Sequence, residues 1–197
     1  MSSTPPTHIE FITRGLILHR GHCLVCWNPK GDYGYLPGGH IESGEPAAAA
    51  LAREMIEETA LTCQVGPLLL THENQFKTRK RTHHEINLVF AAEITDRAFR
   101  AADAELCHVA QLAKALIPSR QKGLKASPTP IAPPAAVISA ESHLAFKWLT
   151  AAQFKRATIH PDPMAKWVLS MMTSGLDSTA GMLSTTTPTA EWLSTMS

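Results

Sequence analysis

Between Ile9 and Trp27, apolar positions recur at strand spacing in "IEFITRGLIL" and, past a turn at His19–Gly21, in "GHCLVCW". "NPKGDYGYLPGGH" follows and is too dense in glycine and proline for a regular element, so it reads as a loop. The period then changes. At 100° per residue, Ala48, Leu51, Ala52, Met55, Ile56 and Thr59 share one stripe, which predicts a helix with its apolar face on a core. Pro46 suits its first turn, and Ser43 or Glu45 stands near its start. Two strand-like runs, "CQVGPLLLTHENQF" and "HHEINLVFAAEI", flank the basic turn "KTRKRT". From Asp96 to Ile117, Phe99, Leu106, Val109, Ala113 and Leu116 at helical spacing predict a second amphipathic helix. "PSRQKGLKASPTPIAPPAA" is a proline-rich connector with little to bury, expected to be extended or mobile. "ESHLAFKWLTAAQFKRA" predicts a strand and then a helix from near Thr150, and "HPDPMAKWVLSMM" a turn and a last helix. Residues 1–8 are expected to be flexible, and the Ser/Thr-rich tail 173–197 disordered, with Trp192 and Leu193 able to dock.

At 197 residues the chain suits one domain, over residues 9–172, with appendages. Its apolar share of 44% is ordinary for a globular protein, and its formal net charge of +1 argues against a general binder of nucleic acid or membrane surfaces. No dedicated nucleic-acid-binding module is recognisable. Neither a membrane-spanning apolar run nor a signal peptide is visible, so the expected setting is soluble and cytoplasmic. Cys23 and Cys26 form a C-x-x-C with His19 and His22 nearby, which raises zinc. The pair lies in a predicted strand, where positions three apart face opposite sides, and it is read as reduced thiols in or near the core.

The polar side of the first helix carries the chemistry. Glu54, Glu57 and Glu58 fall within an arc of roughly 100°. At about 6 Å and an effective dielectric near 20, each like-charged pair costs about 2–3 kcal/mol. Ala47 and Ala50 leave space above these carboxylates, and Arg53 lies beside Glu57. An uncluttered acidic face opposite a packed one suits hard divalent cations with oxygen ligands, Mg²⁺ first and more than one ion. A charged solvent face is the plain alternative. Two features favour the metal: the loop "LPGGH" brings bare backbone to the helix, and Glu45 can pair with Arg53 to hold that loop.

Gly39, Glu45, Arg53, Glu54, Glu57, Glu58 and Leu61 stand in the pattern G-x5-E-x7-R-E-M-I-E-E-T-A-L. This resembles the signature box of the Nudix hydrolases, with Ala60 where the family has its last glycine. The likeness covers residues 9–95 and 141–170 and leaves 96–140 as an insertion, a lid or a dimer contact. The resemblance implies an α/β fold, an α/β/α sandwich with a mixed β-sheet between helices. It implies cleavage of a pyrophosphate bond in a nucleoside diphosphate linked to another group, with Mg²⁺, or Mn²⁺, as cofactor. Glu54, Glu57, Glu58 and the Gly39 carbonyl would then hold metal, and Arg53, paired with the structural Glu45, would position the glutamates. The general base would be Glu54 or, outside the box, Glu141.

Weaker signals concern the substrate, a small-molecule nucleotide. Arg79 and Arg81, with Lys77 and Lys80, could hold phosphates from the basic turn, and Tyr33 and Tyr35 lie close enough to the Gly-Gly loop to stack on a base. His83 or His84 could also touch one. The linked group is not named by any subfamily marker. Two other classes are set against the hydrolase. A non-catalytic nucleotide-sensing or partner-binding domain would tend to have lost box acids, and this one keeps them. An isomerase of the same fold would need a placed cysteine, and Cys63 sits too close to the box. A homodimer is admitted.

Overall fold

A computed structural model of the chain describes residues 8–78, 81–116, 132–176, 178–184 and 191–194. Eight strands occur in it: β1 (Ile9–Leu16), β2 (Leu18–His19), β3 (His22–Asn28), β4 (Tyr33–Tyr35), β5 (Cys63–Lys77), β6 (Thr82–Ile94), β7 (Ala145–Thr150) and β8 (Glu191–Ser194). The helices are α1 (Ala47–Thr59), α2 (Arg97–Leu116), α3 (Ala151–Arg156) and α4 (Asp162–Thr173), with a 3-10 turn at Ala180–Ser184.

The strands make two sheets. One is mixed, in the order β1-β6-β5-β8, with β1 parallel and β5 antiparallel to β6 and β8 parallel to β5. The other is antiparallel and built on β3, which pairs with β2, β4 and β7. β3 has both faces covered, and six of its seven residues are buried, which accounts for its unbroken apolar run. β5 shifts register between Val65 and Leu70, around Pro67, which has no N–H to give the ladder.

Two apolar cores result. One gathers Leu16, Val25, Leu70 and Val89 against Phe154 of α3 and Trp167 and Val168 of α4. The other packs Leu51 and Met55 of α1 and Phe99 of α2 on Ile17, Leu24 and Ala92. Helices thus cover the sheets from two sides, the expected α/β sandwich. α3 starts at Thr150, whose side chain forms a reciprocal capping box with Gln153. α1 has Pro46 at its N-cap and no side-chain cap, because proline carries no side-chain acceptor, and the Glu45 carboxylate before it turns to Arg53. Ala60 closes α1 in the left-handed conformation (φ 57°), donating its N–H to the Ile56 carbonyl at 2.8 Å.

Several segments differ from the reading of the sequence. Tyr33–Tyr35, read as loop, forms β4 because it pairs with Cys26–Asn28 of β3. Ile56, assigned to the buried stripe of α1, is half exposed, whereas Glu58, assigned to the polar side, is buried, because the loop before α1 folds over that side of the helix. The proline-rich connector is built into the second core at its end: Ala135 is buried, as is Val137 just beyond the connector, and Ala135 receives the Trp148 indole N–H and donates to Asp103. α2 docks through Phe99 while Leu106 stays exposed, and residues 117–131 lie outside the described residues. In the tail, Thr179 is fully buried and ties the two sheets together, donating its hydroxyl to the Ala92 carbonyl at 2.6 Å and its N–H to the Leu18 carbonyl at 3.0 Å. β8 then lies beside β5, pairing Leu70 with Glu191 and Glu73 with Ser194.

Candidate functional site

The loop between β4 and α1 crosses β1 through backbone hydrogen bonds, Thr13 N–H to the Gly39 carbonyl and Gly15 N–H to the Pro37 carbonyl, each 2.9 Å. At Gly38 φ is +127°, and a Cβ there would meet the Thr13 carbonyl oxygen at 2.2 Å, so only glycine permits this approach. At Gly39 a Cβ would lie 2.4 Å from the Glu54 carboxyl carbon. The pair of glycines therefore lets bare backbone press onto the acidic helix.

Arg53 organises that helix. Its Nε and Nη2 hold the two oxygens of Glu45 at 3.0 and 3.1 Å, and Nη2 also donates to the His40 carbonyl at 3.0 Å. Its Nη1 donates to Glu54 at 3.1 Å and to Glu57 at 2.9 Å. Five contacts use the five N–H groups of a guanidinium. Glu45, first among its partners, holds the guanidinium more firmly protonated than usual, and Arg53 in turn holds the Glu45 carboxyl below its ordinary range.

Glu58 behaves differently. Only 6% of it is exposed, and its Oε2 is buried with no hydrogen-bond partner. Burial pushes its pKa up to about 7, Glu54 and Glu141 add to the rise, and Arg14 and the Gly38 backbone oppose it. Because the folded chain keeps this proton to a higher pH than the unfolded chain, the contribution to stability is full below about pH 4.5 and is lost as pH rises through 7. Between pH 5 and 8 that is on the order of 2–3 kcal/mol, or about 5–10 °C in Tm. In metal-free buffer the Tm of the wild type, measured relative to Glu58→Gln, should fall by that amount over this range. A difference that stays flat with pH would remove the raised pKa.

Arg14, on β1, is a functional candidate that the sequence reading missed. Its Nη1 donates to the carbonyls of Leu36 and Gly38 at 3.2 and 2.9 Å, its Nε donates to Asn87 at 3.4 Å, and its guanidinium lies 5.1 Å from the Tyr35 ring centre. It thus pins the glycine loop from beneath and also lines a cleft of about 660 Å³ between the mixed sheet and the residues before α4. Tyr33, Tyr35, Phe76, Glu85 and His160 line the same cleft. Nothing in the local pattern of β1 marks Arg14; an arginine at a core-facing position of a strand was the one available signal.

The remaining candidates separate. Glu141 is close enough to raise the Glu58 pKa, and its segment is tied to the end of α1 by Ala140 N–H donating to the Glu58 carbonyl at 2.7 Å. Its Oε2 pairs with His143 at 3.2 Å. Tyr35 lines the cleft, with burial pushing its phenol pKa up. Arg81 is engaged by Glu10 at 2.6 Å, outside the lining of the cleft, and Arg79 lies outside the described residues. His83 stacks on Phe76, with ring centres 4.7 Å apart, and contacts Glu10, while His84 pairs with Glu73 at 3.0 Å. Cys23 and Cys26 are buried free thiols, and burial raises the pKa of both, to about 12 at Cys26.

Among the described residues no three His, Cys, Asp or Glu side chains converge as a ready metal centre, since Arg53 draws Glu54 and Glu57 to itself. The donors nevertheless fit a hard divalent cation. They are all oxygen, the buried Glu58 Oε2 lacks a partner, and the missing Gly39 Cβ leaves backbone open to Glu54.

Known proteins share this fold. The family profile of the NUDIX domain matches residues 11–128. The fold is similar to a MutT NUDIX hydrolase from Burkholderia pseudomallei, at 16% identity and a TM-score of 0.52, covering 84% of this chain and 99% of that one. It is also similar to a MutT protein from Methanosarcina mazei Go1, at 16% identity and a TM-score of 0.51 over 88% and 97% of the two chains. A NUDIX hydrolase from Nitrosomonas europaea matches at 11% identity and a TM-score of 0.52 over 98% of this chain and 81% of its own.

Proposed function

The chain belongs to the NUDIX family, and from that premise we propose that it is a Mg²⁺-dependent hydrolase, with Mn²⁺ as the other admissible ion, cleaving a pyrophosphate bond in a nucleoside diphosphate linked to a further group. The observation that carries the reading is the Arg53 network: one guanidinium orders Glu45, Glu54 and Glu57 beside the buried, unpartnered Glu58 oxygen, and Arg14 joins this loop to a cleft of nucleotide size.

In this reading Glu54, Glu57, Glu58 and the Gly39 carbonyl hold the metal. That carbonyl already accepts the Thr13 N–H at 2.9 Å, and its second lone pair remains for an ion. When bound, the divalent ion supplies positive charge for the anionic phosphates and acidity for a water nucleophile. The chain's own residues do the rest. Arg53 and Glu45 hold the carboxylates in one geometry, so little reorganisation is required at the moment of reaction. Glu54 or Glu141 takes the proton; at Glu141 the receiving atom is Oε1, because His143 engages Oε2. Tyr35 borders the bound nucleotide. Arg81 can reach the phosphates only by leaving Glu10, and Arg79 belongs to the same basic turn.

The test is a phosphate-release screen with Mg²⁺ and coupling phosphatases, over nucleoside triphosphates (oxidised ones included), ADP-ribose, NADH, dinucleoside polyphosphates and sugar nucleotides, with Glu57→Gln as the blank. A hit that disappears in the variant establishes hydrolysis and the substrate class together. Silence across the panel, with Mg²⁺ still bound, would move the reading to a sensing or partner-binding domain.

A further inference from the structure

The inner face of the mixed sheet changes character along its strands. Leu16, Leu70, Val89 and Ala91 are core, but the positions two residues on along the same face are Arg14 on β1, His72 on β5 and Asn87 on β6, and Glu85 follows on β6. His72 and Asn87 are opposite each other and fully buried. Burying such groups is costly unless they serve a ligand or each other. Asn87 does both kinds of work: its Oδ1 accepts from Arg14 at 3.4 Å and its Nδ2 donates to Glu85 Oε2 at 3.3 Å. Asn87 therefore orients the Glu85 carboxylate while engaging only one of its oxygens, and the other keeps full acceptor capacity for whatever occupies the cleft.

The charge pattern of the cleft decides what that occupant is. Its lining holds two carboxylates, Glu85 and Asp162, of which Asp162 is paired with Lys166 at 2.6 Å, and Arg14 is its one arginine or lysine, already committed to the Leu36 and Gly38 carbonyls. A second anionic group would be repelled there, whereas a hydrogen-bond donor is invited. Tyr33 and Phe76 supply flat apolar walls, which suit a planar ring. A carboxylate accepts from an exocyclic amine and from a ring N–H but offers nothing to a carbonyl.

We propose that Glu85, held by Asn87 and Arg14, is a specificity-determining residue that selects a nucleobase bearing an exocyclic amino group. The proposal rests on the reading of this cleft as the nucleotide site, and it names the part of the substrate that the phosphate chemistry leaves open. The base stacks along the Tyr33 and Phe76 side, and its amine donates to the Glu85 oxygen that Asn87 does not use. A base with a carbonyl or hydrogen at that position leaves a desolvated carboxylate without a donor, which is the stronger form of discrimination.

The experiment uses the full chain with Mg²⁺ and three matched pairs that differ in the amine: guanosine against inosine, adenosine against purine riboside, and cytidine against pyrimidin-2-one riboside. Each is offered as the α,β-methylene diphosphate for calorimetric Kd and as the triphosphate for turnover. The expected result is a preference of about 10- to 100-fold in Kd for the amino member of at least one pair. In Glu85→Gln that preference should fall to within about threefold, chiefly because the deamino member, no longer set against a desolvated carboxylate, binds more tightly than it does to the wild type. Affinity for the deamino member at or above the wild-type value doubles as the check that the variant is folded. Three pairs within threefold in the wild type, or a preference that survives in Glu85→Gln, would overturn the proposal. An amine preference in binding without turnover of any member of the wider panel above, triphosphates included, would sink the hydrolase reading and leave Glu85 in place. Turnover with no amine preference would do the reverse.

Discussion

Glu57→Gln is expected to give a folded protein whose turnover has dropped by about a thousandfold, equivalent to roughly 4 kcal/mol of transition-state stabilisation. The substitution keeps shape and removes one negative charge from the face proposed to hold the metal. Its cost to folding should be small, within about 2 °C of the wild-type Tm, because the side chain is 54% exposed and its ion pair with Arg53 is of the surface kind. The repulsion among Glu54, Glu57 and Glu58 suggests by itself that removing a charge would stabilise the metal-free chain. Arg53 Nη1 already stands between Glu54 and Glu57, however, so the gain from relieving that repulsion is offset by the loss of a partner for the guanidinium. Steady-state kinetics on the best substrate, with a thermal melt in chelator, measures both numbers. Turnover within a few-fold of the wild type would remove Glu57 from the metal site.

Arg53→Lys should lower turnover by about a hundredfold and raise the Mg²⁺ concentration for half-activity, and Arg53→Ala should do more, about a thousandfold. A lysine ammonium is a point charge with three donors, whereas the guanidinium here spends five on Glu45, Glu54, Glu57 and the His40 carbonyl. Lysine can neutralise the acids but cannot bridge the loop and the helix in one plane. Without that bridge Glu54 and Glu57 remain charged and unaligned, which affects the Mg²⁺ requirement before it affects the affinity for the nucleotide. A titration of Mg²⁺ at saturating substrate distinguishes this from a general loss of folding, since extra Mg²⁺ should recover part of the activity of Arg53→Lys and none of an unfolded fraction. A lysine variant with wild-type turnover and an unchanged Mg²⁺ requirement would end the positioning role of Arg53.

Much of this was legible in one dimension because the chemistry is packed into one loop and one helix. Helical geometry fixes where Arg53, Glu54 and Glu57 lie relative to each other, and Glu45 is eight residues from Arg53. The strands on either side of the loop, the capped start of α3 at Thr150 and the last helix followed from periodicity and turn residues in the same local way. Composition was a poorer guide at the edges of the fold. A proline-rich connector and a Ser/Thr-rich tail have little to bury on average, yet single residues in each, Ala135 and Thr179, are buried by contacts with distant strands.

The sequence alone thus determined most of the secondary elements, though neither β4 in the stretch read as loop nor β8 in the tail, together with the family resemblance and the acidic helix with its arginine, because each depends on spacings shorter than about four helical turns. The tertiary structure alone decided that Glu58 is buried and raised in pKa while Glu57 stays in solvent, since that depends on the loop that covers the helix. It alone brought Arg14 to the glycine loop and, through Asn87 across 73 residues of chain, to Glu85. Strand pairing sets such contacts, and an arginine, an asparagine and a glutamate on two strands carry no local signal that the asparagine will link the other two at one cleft. The register between β1 and β6 brings them together.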